Sequence, residues 1–311
     1  MSTEYFVGID VSKDKLDVAV FPTKASFSVS NNQSGLDDLI PKLKTIQPEL
    51  IVFESTGGYE TYAASRLYAA GLPVVITNAR QVRDFAKSLG KLAKTDALDA
   101  HVIALFAKAV KPDVRPLKDD ISQELSALVT RRRQIVDMIV AETNRLATAA
   151  KRNRRDIKAH IHWLQKRLSQ IDTEIKGEIR KSPVWREKDQ ILQSAPGVGP
   201  TTSAMLISNV PELGRLNRKK IAALVGVAPL NCDSGRFKGR RKIWGGRAQV
   251  RSVLYMSTLS AIQSNPIIRQ FYQRLKEAGK CTKVAMVACM RKQLIILNAM
   301  VRDQTKWRFC C

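Results

Sequence analysis

The first hundred residues alternate between short apolar runs with strand character and longer segments with helical spacing. Three β-rich runs come first, and the first two are separated by a tight turn at Ser12–Asp14, which predicts a three-stranded meander. Two further apolar runs follow, each next to a segment with helical spacing, an order typical of βαβ units. The predicted strands are YFVGIDVS, KLDVAVF, SFSVS, LIVFES and PVVITN. We therefore predict an α/β domain with a mixed sheet over residues 1–117.

The pattern changes to long helices between about Ser122 and Lys181. Apolar residues recur there at helical spacing, while glycine and proline are nearly absent. The basic segment Lys151–Arg155 divides the pattern into two helices. They predict a helical coiled-coil arm over residues 118–182, either as an antiparallel pair within one chain or as a coiled coil that joins two chains. The sequence leaves both arrangements open.

A third region, residues 183–311, combines short helices with loops and predicts a mainly α-helical domain. Within it, ILQSAPGVGPTTSAML (Ile191–Leu206) indicates a helix, a glycine-containing hairpin and a second helix. In such a helix-hairpin-helix-like segment, Gly197 and Gly199 would expose backbone N–H groups to a phosphate of nucleic acid. A Pro-Gly turn between packed helices is the alternative interpretation.

Charge separates the chain into two parts. The 311 residues carry 52 lysines and arginines against 28 aspartates and glutamates, a net charge of +24 with a pI near 10.1. Residues 1–100 hold 11 basic and 12 acidic residues, so the remainder holds 41 and 16, a net of −1 against +25. Such asymmetry indicates a near-neutral domain joined to a part that binds a polyanion, and nucleic acid is the expected partner.

Other partner classes receive less support. A basic protein of the membrane surface would carry an anchor or a basic amphipathic terminal helix, and neither is evident. The first residues, MSTEYFVGID, lack the pattern of a signal peptide. The five cysteines show no spacing typical of a zinc site. We expect a cytoplasmic, nucleoid-associated protein with reduced cysteines and no membrane partner.

Four acids lie at places where they could meet. KTDALDAHVIALF places Asp96 and Asp99 three residues apart at the start of an apolar-faced helix. Acids there commonly cap helix ends and interact with the helix dipole, but residues at i and i+3 also share one face. Asp10 lies in the first predicted strand and Glu54 ends the fourth. Because crowded carboxylates repel one another without a cation, the four together predict a site for Mg²⁺ (or Mn²⁺).

Three other acids of this region have ordinary interpretations. Asp14 belongs to the turn between the first two strands, and Asp17 is expected on the solvent face of the second strand. Glu60 is expected in the first turn of a helix, where the helix dipole favours an acid.

Ser234 is the other candidate for chemistry. It precedes Arg236–Arg251, which holds seven basic residues among sixteen and no acid. A Ser-Gly pair is commonly only a turn, but a serine here would attack a phosphate within a dense positive field. With only three histidines, two of them in the helical arm, the chain offers little for a Ser-His-Asp hydrolase. The residues predicted to contact nucleic acid are Gly197, Gly199, Arg236, Lys238, Arg240, Arg241, Lys242 and Arg247.

Five motifs follow one another along the chain: GIDVSKDKLDVAV, FESTGGY, KTDALDA, SAPGVGPTTSAML and LVGVAPLNCDSG. In these motifs the chain resembles transposases of the IS110 family, also called the IS116/IS110/IS902 transposases. The resemblance covers nearly the whole chain and rests on motifs in a fixed order. It implies a RuvC-like (ribonuclease-H-like) first domain whose metal site is Asp10, Glu54, Asp96 and Asp99. It also implies a helical arm that assists dimerisation and a C-terminal transposase domain that supplies Ser234.

The resemblance further implies a reaction and its partners. Ser234 would attack a DNA phosphodiester to form a covalent phosphoserine, with Mg²⁺ held by the four carboxylates. Family members act on donor and target DNA under the guidance of a structured non-coding RNA that pairs with both, so base pairing provides the specificity. They assemble as homodimers and tetramers, with active sites composed by two subunits.

Two other functions stay open at this point. A RuvC-like endonuclease would use the same carboxylates to activate water and resolve branched DNA. A nucleic-acid-binding protein without catalytic activity would keep only a vestigial acid cluster. Dependence of the reaction on Ser234 distinguishes a recombinase from an endonuclease.

Overall fold

The computed structural model describes residues 4–90, 96–114, 120–231, 233–234, 237–239 and 241–308. The chain forms two compact units, which divide between residues 119 and 120. The first is a mixed α/β structure and the second is mainly helical, as the sequence predicts. The helical arm and the C-terminal region both fall within the second unit, so the finer division of that half stays a prediction.

A five-stranded sheet organises the first unit. Its strands are β1 (Phe6–Val11), β2 (Lys15–Phe21), β3 (Ala25–Ser30), β4 (Leu50–Glu54) and β5 (Val74–Thr77). Its helices are α1 (Gln33–Ile46), α2 (Glu60–Ala69), α3 (Ala79–Ser88) and α4 (Asp96–Val110). The strand order is β3-β2-β1-β4-β5, in which β2 is antiparallel to both β1 and β3, while β4 is parallel to β1 and β5. The predicted meander followed by βαβ units is confirmed.

Helices cover both faces of the sheet. Because successive strand residues point to opposite faces, each strand contributes to two cores. Ile9 of β1 packs with Leu39 of α1 on one face. On the other face, Phe6 of β1 and Val52 of β4 pack with Ile103 of α4.

Gly8 of β1 allows α4 to lie directly on the sheet. A Cβ atom at this position would overlap the α4 backbone at Ala100 and Ala104. These are main-chain atoms of a helix, which cannot move aside as a flexible side chain can. The absence of a side chain at Gly8 therefore sets the distance between α4 and the central strand.

Replacing Gly8 with alanine is expected to lower the free energy of unfolding by about 3 kcal/mol, because α4 must shift away from β1. Urea denaturation followed by circular dichroism measures the change. Gly177→Ala is the matched control. Gly177 lies within a helix with open space at its Cβ position, so alanine there should stabilise by about 1 kcal/mol. Equal stability of Gly8→Ala and the wild type would contradict the close packing.

The second unit contains eight described α-helices and a short β-hairpin. The helices are α5 (Asp120–Thr148), α6 (Arg154–Lys181), α7 (Pro183–Ser194), α8 (Pro200–Asn209), α9 (Arg218–Val225), α10 (Ala248–Ser264), α11 (Pro266–Glu277) and α12 (Thr282–Arg302). The hairpin consists of β6 (Asp233–Ser234) and β7 (Phe237–Lys238). A single turn of 3₁₀ helix, Lys151–Asn153, precedes α6.

Helices α5 and α6 lie antiparallel within one chain. Arg132 of α5 pairs with Asp172 of α6 (Nε–Oδ1, 2.6 Å). Further along α5, Glu142 lies 3.4 Å from Nδ1 of His160, which comes earlier in α6. The structure thus has the intrachain pair, one of the two arrangements that the sequence left open. Coiled-coil geometry and dimerisation through this arm stay predictions.

Helix α12 is the one described helix that is long and apolar enough to cross a membrane. Of its most apolar 18-residue window, 56% is buried inside the structure. Met290 and Leu294 belong to the main apolar core of the helical unit, and α12 contacts α7, α9, α10 and α11. We therefore interpret α12 as a core helix.

Candidate catalytic site and nucleic-acid interface

A row of polar side chains crosses all five strands at one level. The backbone register pairs Ser28 of β3 with Asp17 of β2, and Asp17 with Asp10 of β1. The parallel register of β1 and β4 pairs Ile9 with Phe53, the residues that directly precede Asp10 and Glu54, and Glu54 pairs with Thr77 of β5. Two of the predicted metal ligands are therefore neighbours on the central strands.

This row faces α4. Residues two apart in a strand share a face, and Val52, two before Glu54, belongs to the apolar core beneath α4. Gly8, two before Asp10, packs against the α4 backbone at Ala100. The row therefore lies on the α4 side of the sheet, at the carboxyl ends of β1 and β4.

Helix α4 carries the other two predicted ligands. Asp99 is partly exposed and directly precedes Ala100, so its backbone lies one residue from the contact with β1. Asp96 begins α4, but its side chain is outside the described residues. On the sheet, the Oδ1 atom of Asp10 accepts a hydrogen bond from the backbone N–H of Val11 at 3.0 Å.

The donor set fits a hard cation in its chemistry. All four predicted ligands are carboxylates, the oxygen donors that Mg²⁺ prefers. In the part of the chain that the structure describes, no group of three or more histidine, cysteine, aspartate or glutamate side chains is arranged to hold a metal ion. The four-carboxylate site therefore stays a prediction, supported by the placement of Asp10 and Glu54 on adjacent strands.

The solvent-face position predicted for Asp17 is wrong. Its side chain is only 15% exposed and lies on the same face as Asp10. Its carboxylate accepts a hydrogen bond from Ser28 Oγ at 2.5 Å and pairs with Lys15 Nζ at 2.7 Å. The tight turn after β1 could have predicted the face on which Asp17 lies. Pairing Ser12 with Lys15 across a two-residue turn brings Asp10 opposite Asp17.

Ser234 ends the first strand of the β6–β7 hairpin. It is exposed, and its register partner is Phe237 of β7. The two residues between the strands lie outside the described part of the chain. A serine at an exposed hairpin end is accessible to a large substrate such as DNA, although its role as nucleophile stays a prediction.

The basic residues after Ser234 fall into three groups. Arg236 and Arg240 are outside the described residues, and the side chain of Lys238 is likewise not described. Arg241 and Lys242 are exposed, as expected for residues that contact a phosphate backbone. Their predicted nucleic-acid contacts stay predictions.

Arg247 has a structural role in this unit. Its guanidinium forms a bidentate pair with Glu212, with both N–O distances 2.6 Å, and also donates to the carbonyl oxygen of Asn209 at 2.8 Å. The side chains of Arg247 and Glu212 are 31% and 16% exposed. The pair connects the start of α10 to the loop after α8, and the local basic pattern gave no sign of it.

Replacing Arg247 with alanine is expected to lower the free energy of unfolding by about 2 kcal/mol, because partly buried charged hydrogen bonds are lost. Arg241→Ala is the matched comparison. It should keep the unfolding midpoint and reduce the slope of log binding constant against log salt concentration by about 1, as loss of one phosphate contact does. Thermal unfolding and DNA binding at several salt concentrations measure both. A stable Arg247→Ala variant with a reduced salt slope would contradict the structural role.

The turn between α7 and α8 gives its two glycines different environments. Gly197 has a φ of +91°, and a Cβ atom there would overlap Ala261 of α10. Its carbonyl oxygen accepts a hydrogen bond from Ser257 Oγ at 2.8 Å. The positive φ and the close packing against α10 therefore explain why residue 197 is a glycine. Gly199 is exposed, has open space around it and precedes α8, so it is the better placed of the two for the phosphate contact that remains predicted.

Two family profiles match the chain. The DEDD transposase profile of IS110 elements, described as a transposase, matches residues 7–152, a range that contains all four predicted ligands. The profile described as "Transposase IS116/IS110/IS902 family" matches residues 189–273, which contain Ser234 and the basic segment. The chain belongs to the IS116/IS110/IS902 family of transposases. It is therefore an enzyme of DNA rearrangement, and an Asp-Glu-Asp-Asp set implies a divalent metal ion.

Several proteins resemble this transposase along almost their whole length. It is 26% identical over 309 residues to the "Pilin gene-inverting protein" of Moraxella bovis, and the match covers 96% of both chains. It is 24% identical over 391 residues to the "Insertion element IS116 uncharacterized 44.8 kDa protein" of Streptomyces clavuligerus. That match covers 98% of this transposase and 97% of the relative.

Proposed function

We propose that this transposase exchanges DNA strands through a covalent phosphoserine at Ser234. Mg²⁺ (or Mn²⁺) would be held by Asp10, Glu54, Asp96 and Asp99. The observation that carries the proposal is the parallel register of β1 and β4, which pairs Ile9 with Phe53. The next residue on each strand, Asp10 and Glu54, therefore lies at the carboxyl end of a central strand, on the face that α4 covers. The strand order and the helix packed over it are compatible with a RuvC-like fold, and the proposal includes that assignment.

The proposed reaction has two balanced steps. In the first, the Oγ atom of Ser234 attacks phosphorus, and the Oγ–P bond forms as the bond from phosphorus to a deoxyribose oxygen breaks. The serine proton passes to solvent, and the leaving deoxyribose oxygen takes up a proton. In the second, a deoxyribose hydroxyl of another strand attacks the phosphorus of the phosphoserine, and a new phosphodiester bond forms as the Oγ–P bond breaks. The hydroxyl loses its proton to solvent, and the Oγ atom takes up a proton to restore the free serine. The bound metal ion would stabilise negative charge on the reacting phosphate.

The name of one relative supports strand exchange, as opposed to simple hydrolysis, as the proposed reaction. The Moraxella bovis protein is called gene-inverting, and inversion requires that cut strands are rejoined in a new order. A phosphoserine keeps the energy of the broken bond for rejoining, whereas water would release it. Similarity over 96% of both chains makes the same type of chemistry the expected one here.

The strongly basic part of the chain is the basis for the proposed partners. A net charge of +25 after residue 100 suits extended contact with phosphate backbones. We propose donor DNA, target DNA and a structured non-coding guide RNA as ligands, with base pairing as the source of specificity. We also propose a homodimer that assembles to a tetramer and acts on DNA in the cytoplasm.

A strand-transfer assay tests the proposal. The full chain is incubated with end-labelled donor and target DNA, RNA transcribed from the ends of its element, and Mg²⁺. We expect joined donor–target strands, and no product in EDTA. Cleaved ends without joined strands would instead indicate a hydrolytic endonuclease. Binding of DNA and RNA without cleavage would indicate a nucleic-acid-binding protein.

A further inference from the structure

The loop that follows Glu54 is built around a buried carboxylate. Glu60, the first residue of α2, is 6% exposed. Its Oε2 atom accepts hydrogen bonds from the backbone N–H groups of Thr56 at 3.1 Å and Gly58 at 2.9 Å. Its Oε1 atom accepts from the hydroxyl of Ser55 at 3.3 Å. All of these donors come from residues 55–58, the segment that directly continues β4 beyond Glu54.

Because the Glu60 carboxylate is buried, its hydrogen bonds fix the conformation of the loop. A carboxylate removed from water must be paired or hydrogen-bonded, and bonds to an ionised acceptor are among the stronger ones. Gly58 has a φ of +115°, which glycine adopts readily, and this turn directs its N–H group to the carboxylate of Glu60. Glu60 therefore holds the loop in one conformation and, through it, the end of β4.

Asn31 connects this loop to the strand of Asp10. Its side-chain amide donates to the carbonyl oxygen of Ser12 at 3.0 Å and to that of Tyr59 at 3.2 Å. Ser12 directly follows β1, and Tyr59 directly precedes Glu60. One side chain thus ties the segment after β1 to the segment after β4.

We propose that Glu60 and Asn31 are positioning residues for the metal site. Glu60 fixes the segment after Glu54, and Asn31 holds that segment against the one after Asp10. Together they keep the two strand-borne carboxylates at a separation that one cation can bridge. Residues that orient metal ligands in this way affect metal affinity by about 10- to 100-fold. The inference rests on the proposed function, because it requires that Asp10 and Glu54 bind the ion.

The test measures Mn²⁺ binding to the full chain by electron paramagnetic resonance, together with the Mg²⁺ concentration that gives half-maximal strand transfer. Glu60→Gln keeps the size of the side chain but turns an N–H donor toward the loop N–H groups. Asn31→Asp removes both donors and sets a carboxylate against two carbonyl oxygens. Each variant should raise the Mn²⁺ dissociation constant at least about 10-fold. Strand transfer at saturating Mg²⁺ should recover, since the ligands themselves remain.

Glu49→Gln is the matched control. Glu49 is an exposed glutamate at the opposite end of β4, so its variant should bind Mn²⁺ as the wild type does. Thermal unfolding of each variant separates a local effect from loss of the fold, and Asn31→Asp carries the test if Glu60→Gln does not fold.

Two negative outcomes are distinguishable. If Glu54→Gln loses Mn²⁺ binding while Glu60→Gln and Asn31→Asp keep wild-type dissociation constants, the positioning role is overturned and the metal site stands. If Glu54→Gln binds Mn²⁺ as the wild type does, the proposed metal site and the positioning role fail together.

Discussion

Replacing Ser234 with alanine is expected to abolish the covalent protein–DNA adduct and to reduce strand transfer by about 10⁴-fold or more, because alanine offers no nucleophile. Ser234 is exposed at the end of a two-stranded hairpin, so the substitution removes one hydroxyl and leaves the apolar core untouched. The carboxylates lie in the other compact unit, and metal binding should be unchanged. A denaturing gel with labelled donor DNA, cognate RNA and Mg²⁺ measures both quantities.

Ser252→Ala is the matched control for this prediction. Ser252 is an exposed serine on α10 of the same unit, and its variant should form the adduct at the wild-type rate. Strand transfer by Ser234→Ala at the wild-type rate would exclude the phosphoserine intermediate. Metal-dependent cleavage without joining in that variant would instead assign the chemistry to activated water.

Replacing Asp99 with asparagine is expected to lower metal-dependent strand transfer by roughly 10³-fold, since a metal ion contributes several kcal/mol to transition-state stabilisation. Asparagine keeps the size of the side chain and a carbonyl oxygen but removes the charge that binds the cation. The helix should remain, because α4 is held on the sheet by the contact with Gly8 and by an apolar core that includes Ile103 and Phe106. Rates over a range of Mg²⁺ concentrations, with thermal unfolding beside them, test both parts.

The comparison variant for Asp99 is Asp84→Asn. Asp84 is an exposed helical aspartate in the same unit, 58% exposed, whose ion pairs are with Arg80 and Lys87 on its own helix. Such surface pairs contribute little, so this variant should keep full activity. If Asp99→Asn also keeps full activity, its carboxylate serves only the start of α4, and the interpretation as an ordinary helix acid is restored.

The sheet could be predicted because its strands are short, apolar and separated by clear turns. Strand periodicity alone located Asp10 and Glu54 at the places where the register now makes them neighbours. Asp17 and Glu60 could not be understood in the same way. The role of Asp17 depends on which face of β2 it occupies, and that of Glu60 on a loop whose N–H groups turn back toward its own helix. Both are consequences of tertiary packing, which composition does not show.

In the helical unit too, the local sequence does not distinguish residues that have different roles in the structure. Arg241 and Arg247 look equivalent in a run of basic residues, yet one is exposed and the other is held by Glu212, 35 residues earlier. Gly197 and Gly199 look equivalent in a hairpin, yet only Gly197 packs against α10. In both cases a partner that is distant in the sequence determines the role of the residue. The local sequence does not predict that contact.

Mass spectrometry of the covalent adduct tests the central claim most directly. The full chain is reacted with donor DNA, cognate RNA and Mg²⁺, denatured, and digested with protease and nuclease so that a nucleotide remnant marks the attached residue. The proposed mechanism predicts the remnant on the peptide that contains Ser234. A remnant on a different residue, or joined DNA strands formed without any covalent adduct, would contradict it.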